Sequence, residues 1–448
     1  MNQQFAYTGE QLAEIAQDLV AKARHLGASD AKVSISEMSG LSVEVLDGRV
    51  TTRTVHTQSS ISLTVFRGQR QGFTSSTDFS PANVQRMVSA ALDIARYASE
   101  DPDACLVDSA QLSTVELDLQ TDNPWSLDIE QAVQHVRQVE DGIHRLGAEV
   151  RSDGASLETA RSQMLLATSQ GFCRRSQRTD HSVTARVIGS RDDQRKTDSW
   201  TDYRTAPQLL MAPEQVGEIA ARSAIESLGS RSISSRSCPV LLAPQAAHSL
   251  VHHFHQAVSG GELSRDASFL RDSLGQRIFA EHLDVFENPF QLYGTASGCF
   301  DSDGVVGQQR AVVDQGVVRG YFLSAYTARR LGMVSTGNAK GAYNLSLKSR
   351  LTKDSDDLTA MLGKLNNGLY ITHLIGDGVR LATGDYSRAA QGFWVENGEI
   401  QFPVDHVTVA GNLRDIYAGI LAVGSDSMTL GKVSGGSILI NDLRIGGQ

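Results

Sequence analysis

The amino-acid sequence predicts an α+β fold, with an N-terminal α/β region of helices packed on mixed or antiparallel sheets and a mainly antiparallel C-terminal β domain with a few helices. Two patterns indicate this division. Amphipathic stretches with helix-start signals alternate with strand-like runs up to residue 229, and short strands punctuated by glycine dominate after residue 240. A chain of 448 residues is also too long for one hydrophobic core, so we expect two or three domains.

Helix and turn signals define the elements of the first half. Thr8 and Gln11 have the spacing of a capping box, and apolar residues at helical intervals follow them as far as Gly27. Asp47-Gly48 lies between alternating residues and predicts a hairpin, because both residue types tolerate a positive φ. Ser80-Pro81 then opens a second helix, with serine as the N-cap and proline in the first turn.

The order helix, strands, helix occurs twice in the first half. We therefore predict an N-terminal region at 1–229, built of two units at about 1–110 and 120–229. The serine-rich stretch 230–239 has no periodicity and predicts a linker. The remaining residues, 240–448, form the predicted β-rich domain, in which Asn397-Gly398 is the strongest hairpin signal.

Composition excludes several classes of protein. The net charge is -10, with acidic and basic residues interspersed, so we expect no direct binding to nucleic acid. The sequence has no run of 18 apolar residues and no export signal at the N-terminus, which predicts a cytoplasmic protein with no membrane contact. The four cysteines are far apart, a spacing that favours free thiols over disulfides or a cysteine zinc site.

The segment AAHSLVHHFHQAV, residues 246–258, carries four of the twelve histidines. His248 and His252 are four residues apart, a spacing that lets one ion bridge both rings on a helix. In an HExxH zinc protease the glutamate after the first histidine is the general base, but Ser249 stands there and a hydroxyl cannot take that role. His252 and His255 are a second open pairing, and the other interpretation is a set of surface or interface histidines on an amphipathic helix whose apolar residues pack inward.

Two polar groups elsewhere are candidates for peptide or interface contacts. Asp385, Tyr386 and Arg388 lie in a stretch that we interpret as a glycine-flanked loop facing a cleft, although an Asp-Arg pair that pins the loop explains them equally well. Glu262 and Arg265 follow a glycine pair, where they line a groove or form a solvated helix end.

Several stretches together resemble the PmbA/TldD family, and specifically its PmbA (TldE) branch. They are spread over most of the chain in the family's order: ALDIARYASEDPDA, SGGELSRDASFLRDSLG, LSAYTARRLGMVSTGNA, TGDYSRAAQGFWVENGEIQFPV and LRIGGQ. The resemblance implies a cytoplasmic zinc metalloprotease system, also labelled a modulator of DNA gyrase, that acts on peptides and small unfolded proteins. It implies that a TldD-type partner carries an HExxxH helix and a cysteine ligand, while PmbA-type chains typically lack this set.

The resemblance also assigns the histidines. His248 and His253 occupy the two ligand positions of the HExxxH slot, Ser249 replaces the glutamate, and no cysteine follows Cys299. We therefore expect no catalytic residue and no cofactor in this chain, only weak metal candidates in His248 and His253 on a locally distorted helix, and zinc in the partner subunit. A homodimer of the isolated chain stays open.

Two other functions stay open beside this hypothesis. The chain is a metalloprotease on its own if Glu262 or His282 completes a zinc site, or it is a binding module that regulates DNA gyrase or a toxin-antitoxin system without proteolysis. In either proteolytic case, the β-rich second half suits an extended peptide bound by strand addition.

Overall fold

The computed structural model describes residues 5–447 and confirms the α+β fold, including the mainly antiparallel C-terminal part. Residues 1–4, where the stretch used to predict the compartment begins, lie outside the described residues. No helix within 5–447 combines the length and the apolar character needed to cross a bilayer.

The N-terminal region is built around one antiparallel sheet of six strands in the order β3-β2-β1-β4-β5-β6. Four of these strands are 17 to 19 residues long, so each extends across the full width of the region. The elements in chain order are α1 (Gly9–His25), β1 (Asp30–Leu46), β2 (Arg49–Arg67), β3 (Arg70–Ser76), α2 (Pro81–Tyr97), α3 (Ile129–His144), β4 (Val150–Thr168), β5 (Cys173–Arg191), β6 (Gln194–Arg204) and α4 (Pro213–Glu226).

Four helices cover one face of this sheet. The inward residues of β1 alternate along its whole length, from Val33 to Val45, which is the period of a strand with one buried face. α1 and α2 pack on one half of that face, and α3 and α4 pack on the other half. The opposite face meets the C-terminal region, for example where Lys32 forms a 3.0 Å ion pair with Asp303.

The predicted helix caps and hairpin turns are confirmed. The Thr8 hydroxyl accepts a hydrogen bond from the Gln11 N–H, and the Gln11 side chain accepts one from the Thr8 N–H. Asp47 and Gly48 have φ values of 49° and 72°, and Asn397 and Gly398 have values of 55° and 78°. Both pairs therefore adopt the left-handed backbone that a type I′ hairpin turn requires.

The C-terminal region contains two sheets. Its elements are β7 (Arg236–Leu242), α5 (Pro244–Ala257), α6 (Gly260–Ser264), β8 (Leu283–Asn288), β9 (Arg310–Asp314), β10 (Val317–Val318), α7 (Ala325–Arg330), β11 (Asn344–Ser349), α8 (Leu358–Leu365), β12 (Gly368–Ile375), β13 (Val379–Arg380), β14 (Asp385–Glu396), β15 (Glu399–Asn412), α9 (Leu413–Ala418), β16 (Ile420–Val423), β17 (Met428–Leu430), β18 (Val433–Gly435) and β19 (Ile438–Gly446). β7 begins inside the stretch that the sequence marks as a linker.

One of these sheets has the order β10-β9-β8-β11-β18-β17, and the other has the order β12-β7-β19-β15-β14-β13. β12 also pairs with β14, so β7, β19, β15, β14 and β12 close into a ring. Helix α5 follows β7 directly and packs against β7 and β12 on one side and β17 and β18 on the other. The histidine segment therefore lies between the two sheets, inside the core of the region.

Candidate functional site

The site suggested by the sequence is centred on α5. The helix starts at Pro244 without a side-chain cap, and the Ala243 N–H that precedes it donates to the Ile371 carbonyl of β12. Leu250, Val251 and Phe254 anchor the helix in the core. Because both neighbouring sheets cover the helix, two of its polar side chains, His248 and His253, are buried as well.

His248 is 7% exposed and faces β17. Its Nε2 lies 3.0 Å from the carbonyl oxygen of Met428, and since a carbonyl only accepts, Nε2 carries the proton. The other nitrogen, Nδ1, is buried without a hydrogen-bond partner. Burial lowers the pKa of His248, so the ring is neutral at pH 7.

His253 is 4% exposed and faces β14, where its ring centroid lies 6.2 Å from that of Tyr386. Nδ1 is 3.5 Å from the Gln256 side-chain oxygen, and Nε2 is buried without a partner. Burial lowers the pKa of His253 to about 4, and the positive charge of Arg388 works in the same direction.

The two candidate ligands do not point at a common position. α5 is a regular α-helix from Pro244 to Ala257, so the local distortion that we expected is absent from it. On such a helix, positions five apart differ by about 140° in direction and by about 7.5 Å along the axis. No group of three or more His, Cys, Asp or Glu side chains within residues 5–447 is arranged to hold a metal ion.

The other two histidines of α5 differ in exposure. His252 is exposed, whereas the Nε2 of His255 accepts a 3.0 Å hydrogen bond from the Ala342 N–H, and its ring packs on Phe322 at 4.9 Å. Burial lowers the pKa of His255 to about 3, helped by the charge of Lys432. Of the interpretation as surface or interface histidines, the surface part holds for His252 alone, because the two sheets that enclose α5 cover the other three wholly or partly.

Ser249 occupies the position of the general base in a zinc protease. Its hydroxyl donates a 2.7 Å hydrogen bond to the Ala246 carbonyl of the preceding turn. The Tyr386 hydroxyl lies on the same side and also contacts Ser249. A hydroxyl bonded back to its own helix is neutral and has no basic lone pair to offer to a metal-bound water.

Asp385, Tyr386 and Arg388 lie in strand β14 rather than in a loop, so the loop interpretation is wrong. Tyr386 is 3% exposed, and burial raises its pKa to about 12. The Arg388 guanidinium donates to the Leu374 carbonyl at 3.0 Å, while the Asp385 carboxylate accepts from the Thr383 hydroxyl at 2.7 Å. Only Tyr386 and Arg388 of this group come close to His253.

The remaining candidates have other partners. Glu262 and Arg265 form a 2.5 Å ion pair with each other at the end of α6. His282 uses both ring nitrogens, at 2.9 Å from the Ser349 hydroxyl and 3.0 Å from the Ile420 carbonyl. Within the described residues, neither Glu262 nor His282 joins the α5 histidines in a group of three or more possible metal ligands.

Sequence reasoning missed a cleft between the two regions. It has a volume of about 940 Å³ and lies where the start of β5 and residues 116–122 meet residues 295–300, residues 340–343 and Lys432. Arg178 and Lys340 line it from opposite regions. The cleft was not apparent from the sequence, because its two walls come from regions whose lining segments are more than 100 residues apart and share no motif.

Comparisons with known proteins identify the family and the fold. Residues 31–95 match domain 1 of the PmbA/TldA metallopeptidases, residues 122–228 match their central domain, and residues 235–447 match their C-terminal domain. The chain is 36% identical to metalloprotease PmbA of Escherichia coli O157:H7 over 97% of both chains. It is 34% identical to a PmbA homolog of Haemophilus influenzae over 98% of this chain and 96% of the relative.

Solved structures share the fold at lower sequence identity. A proposed modulator of DNA gyrase from Bacteroides thetaiotaomicron superposes with a TM-score of 0.92 at 22% identity, covering 98% of this chain and all of the other. TldE from Thermococcus kodakarensis gives a TM-score of 0.84 at 15% identity, covering 97% of this chain and all of the other. With relatives matched over nearly their whole length, the chain belongs to the PmbA branch of the PmbA/TldD metallopeptidase family.

Proposed function

We propose that this chain is the non-catalytic subunit of a cytoplasmic TldD-PmbA-type zinc metalloprotease that processes peptides and small unfolded proteins. A TldD-type partner supplies the zinc ion and the general base. This chain stabilises the assembly and shapes the surface that holds the peptide.

One observation carries the proposal: the general-base position on α5 holds Ser249, whose hydroxyl is committed to the Ala246 carbonyl. Catalytic zinc sites combine three protein ligands with a water and a base. In this chain His248 and His253 point to different sheets, which further supports a catalytic centre in another subunit.

The test is reconstitution with a TldD-type partner. We expect the two purified chains together to cleave a fluorescently labelled unfolded polypeptide that neither chain cleaves alone. Zinc measured by mass spectrometry is expected in the partner and not in this chain. As a control, the double variant His248→Gln/His253→Gln in this chain is expected to leave the activity of the reconstituted pair unchanged.

One result would contradict the proposal and identify this chain as the catalytic subunit. If this chain alone binds one zinc ion tightly and cleaves the polypeptide, and either histidine substitution abolishes both properties, the chain is a metalloprotease in its own right. That alternative requires Glu262 to leave Arg265, or His282 to give up one of its two hydrogen bonds.

Solved relatives described as proposed modulators of DNA gyrase favour a second candidate, a regulator that acts without proteolysis. The same reconstitution separates the two functions. If the paired chains cleave no polypeptide while this chain binds gyrase in a pull-down with purified components, the regulatory function replaces the proteolytic one.

A further inference from the structure

The cleft between the two regions is lined by five basic side chains and by the carboxylates of Glu116, Asp118 and Asp122, and two of its arginines are already engaged. Arg178 holds the Asp180 carboxylate at 2.7 Å and donates to the Thr295 carbonyl at 2.6 Å. Arg174 donates to the Val115 carbonyl at 2.6 Å. These guanidinium groups bind the walls of the cleft together and have little capacity left for a ligand.

Lys340 differs from these arginines because no carboxylate among the described residues lies within 4 Å of its ammonium group. The nearest opposite charge is the buried carboxylate of Asp301, which already accepts the main-chain N–H groups of Asp303, Val305 and Ala339. Lys340 is accessible from the cleft, but the surrounding walls lower its pKa to about 8 by desolvation. A bound anion would offset that desolvation.

Tyr343 supplies a second unused donor in the same lining. The residue is 6% exposed, and its hydroxyl has no hydrogen-bond partner. A buried hydroxyl without a partner costs free energy, and such groups in native proteins are usually completed by a ligand or water. An ammonium group and a phenol hydroxyl together favour an acceptor with negative charge, such as a carboxylate.

The size and the wall of the cleft favour a peptide over a small ion. A volume of about 940 Å³ is in the upper range of ligand sites and exceeds what a single anion fills. Along one wall, β5 pairs with β4 on one side, whereas β6 joins β5 only from His181 onward. Thr121 bonds to the Gln177 carbonyl and the Thr179 N–H, so among the described residues the edge of β5 is open at Cys173–Ser176. This free edge gives a peptide main chain a place to form hydrogen bonds.

We propose that the cleft binds the free C-terminal end of a peptide, with the terminal carboxylate held by the Lys340 ammonium group and the Tyr343 hydroxyl. This inference rests on the proposed function and specifies how its peptide substrates are recognised. A subunit with such a site selects free chain ends, as expected of a system that acts on peptides and small unfolded proteins.

The test uses the full chain and fluorescence anisotropy of a labelled penta-alanine, prepared with a free C-terminus and as the C-terminal amide. We expect the acid to bind at least about tenfold more tightly than the amide, since a charge-assisted hydrogen bond contributes that much. Lys340→Gln is expected to reduce acid binding to the level of the amide, and Lys340→Arg to restore most of it. Tyr343→Phe is expected to weaken acid binding about threefold by removing a neutral hydrogen bond.

Lys348→Gln is the matched control, because Lys348 is an exposed lysine of β11 outside the cleft and its loss is expected to change neither affinity. The inference is overturned if the acid and the amide bind equally, or if Lys340→Gln binds the acid like the wild-type chain while keeping the wild-type melting temperature. It is also overturned if inorganic phosphate displaces the peptide at the peptide's own concentration, since the site then recognises anions alone. The assay needs no partner, so a failed reconstitution does not affect its outcome.

Discussion

The N-terminal and C-terminal regions bury their apolar side chains in different ways. The N-terminal region has two separate cores on one face of a shared sheet, one under α1 and α2 and the other under α3 and α4. The C-terminal region has one large core whose members run from Ile233 to Ile445 and include both faces of α5, and a smaller cluster lies under α8.

This difference determines how far the effect of a local change spreads in each region. In the N-terminal region each helix pair packs on its own half of the strands, so a local change affects one half first. In the C-terminal region α5 contacts both sheets, so the histidines are held by the whole region at once.

The largest expected effect comes from Phe254→Ala. Phe254 is 0% exposed and packs edge-to-face on Phe279 at 5.0 Å and on Tyr417 at 6.2 Å. We expect a loss of about 3–5 kcal/mol in the free energy of unfolding, measured by urea denaturation, because the ring leaves a cavity in a close-packed core. Hydrogen exchange is expected to increase in both C-terminal sheets.

Leu19→Ala is the corresponding change in the N-terminal region, where Leu19 is fully buried on the inner face of α1. It is expected to increase hydrogen exchange in α1, α2 and the strand halves beneath them, and to leave α3 and α4 protected. If both substitutions open the entire molecule to the same degree, the contrast between separate and shared cores is wrong.

Acidification is expected to act mainly through the enclosed histidines of α5. The folded-state pKa of His255, about 3, and that of His253, about 4, are below the roughly 6.5 of an unfolded chain. Their stabilising effect is therefore complete above pH 6.5 and is lost as the pH falls, because the unfolded chain then binds more protons. For His255 the loss between pH 7 and pH 4 is about 3 kcal/mol.

The variant His255→Gln is expected to remove this part of the acid sensitivity, measured as the urea midpoint against pH. Glutamine does not titrate, and its side-chain oxygen can accept the Ala342 N–H that His255 accepts now. His25→Gln, at the exposed end of α1, is the control and is expected to leave the profile unchanged. Identical profiles for His255→Gln and the wild-type chain would contradict the assignment.

The N-terminal elements were predictable because their signals are local. A capping box, a type I′ turn and a period of two or 3.6 residues each act within about a dozen residues of sequence, as at Thr8 and Asp47-Gly48. The ring of strands in the C-terminal region was not predictable in this way. β7 pairs in parallel with β12, more than 120 residues later, and no local pattern encodes that pairing.

In the candidate site, too, local patterns were predictable from the sequence and long-range contacts were not. Histidine spacing placed His248 and His253 on one helix, and the missing glutamate was visible as Ser249. Their burial depended on two sheets that the spacing does not reveal. The contact of His253 with Tyr386 joins residues 133 positions apart, and the cleft around Lys340 requires both regions to be assembled.

A smaller effect is expected at the crossing of α3 and α4. A Cβ atom on Gly142 would lie 2.1 Å from the Glu214 carbonyl oxygen, and one on Gly217 would lie 2.1 Å from that of Val139. Gly142→Ala therefore has to separate two backbones, and we expect a loss of about 1–3 kcal/mol in urea denaturation. Gly363→Ala in α8 meets no atom within 4 Å and is expected to be neutral or stabilising by up to about 1 kcal/mol.

The smallest expected effect concerns how helices begin in the two regions. α1 starts with the reciprocal capping box of Thr8 and Gln11, whereas α5 starts at Pro244 with no side-chain cap and is held by the sheets around it. Thr8→Ala is expected to lower the free energy of unfolding by about 1 kcal/mol, measured by thermal or urea denaturation. The Gln11 N–H loses its acceptor, and the reciprocal bond from the Thr8 N–H to the Gln11 side chain is no longer supported. Thr8→Ser keeps the hydroxyl and is expected to retain the wild-type midpoint.

Ala243→Ser offers α5 a side-chain cap. We expect it to raise the free energy of unfolding by less than Thr8→Ala lowers it, since enclosure by β7 and β12 already fixes the start of that helix. An equal gain at Ala243 would mean that α5 depends on its local start as much as α1 does.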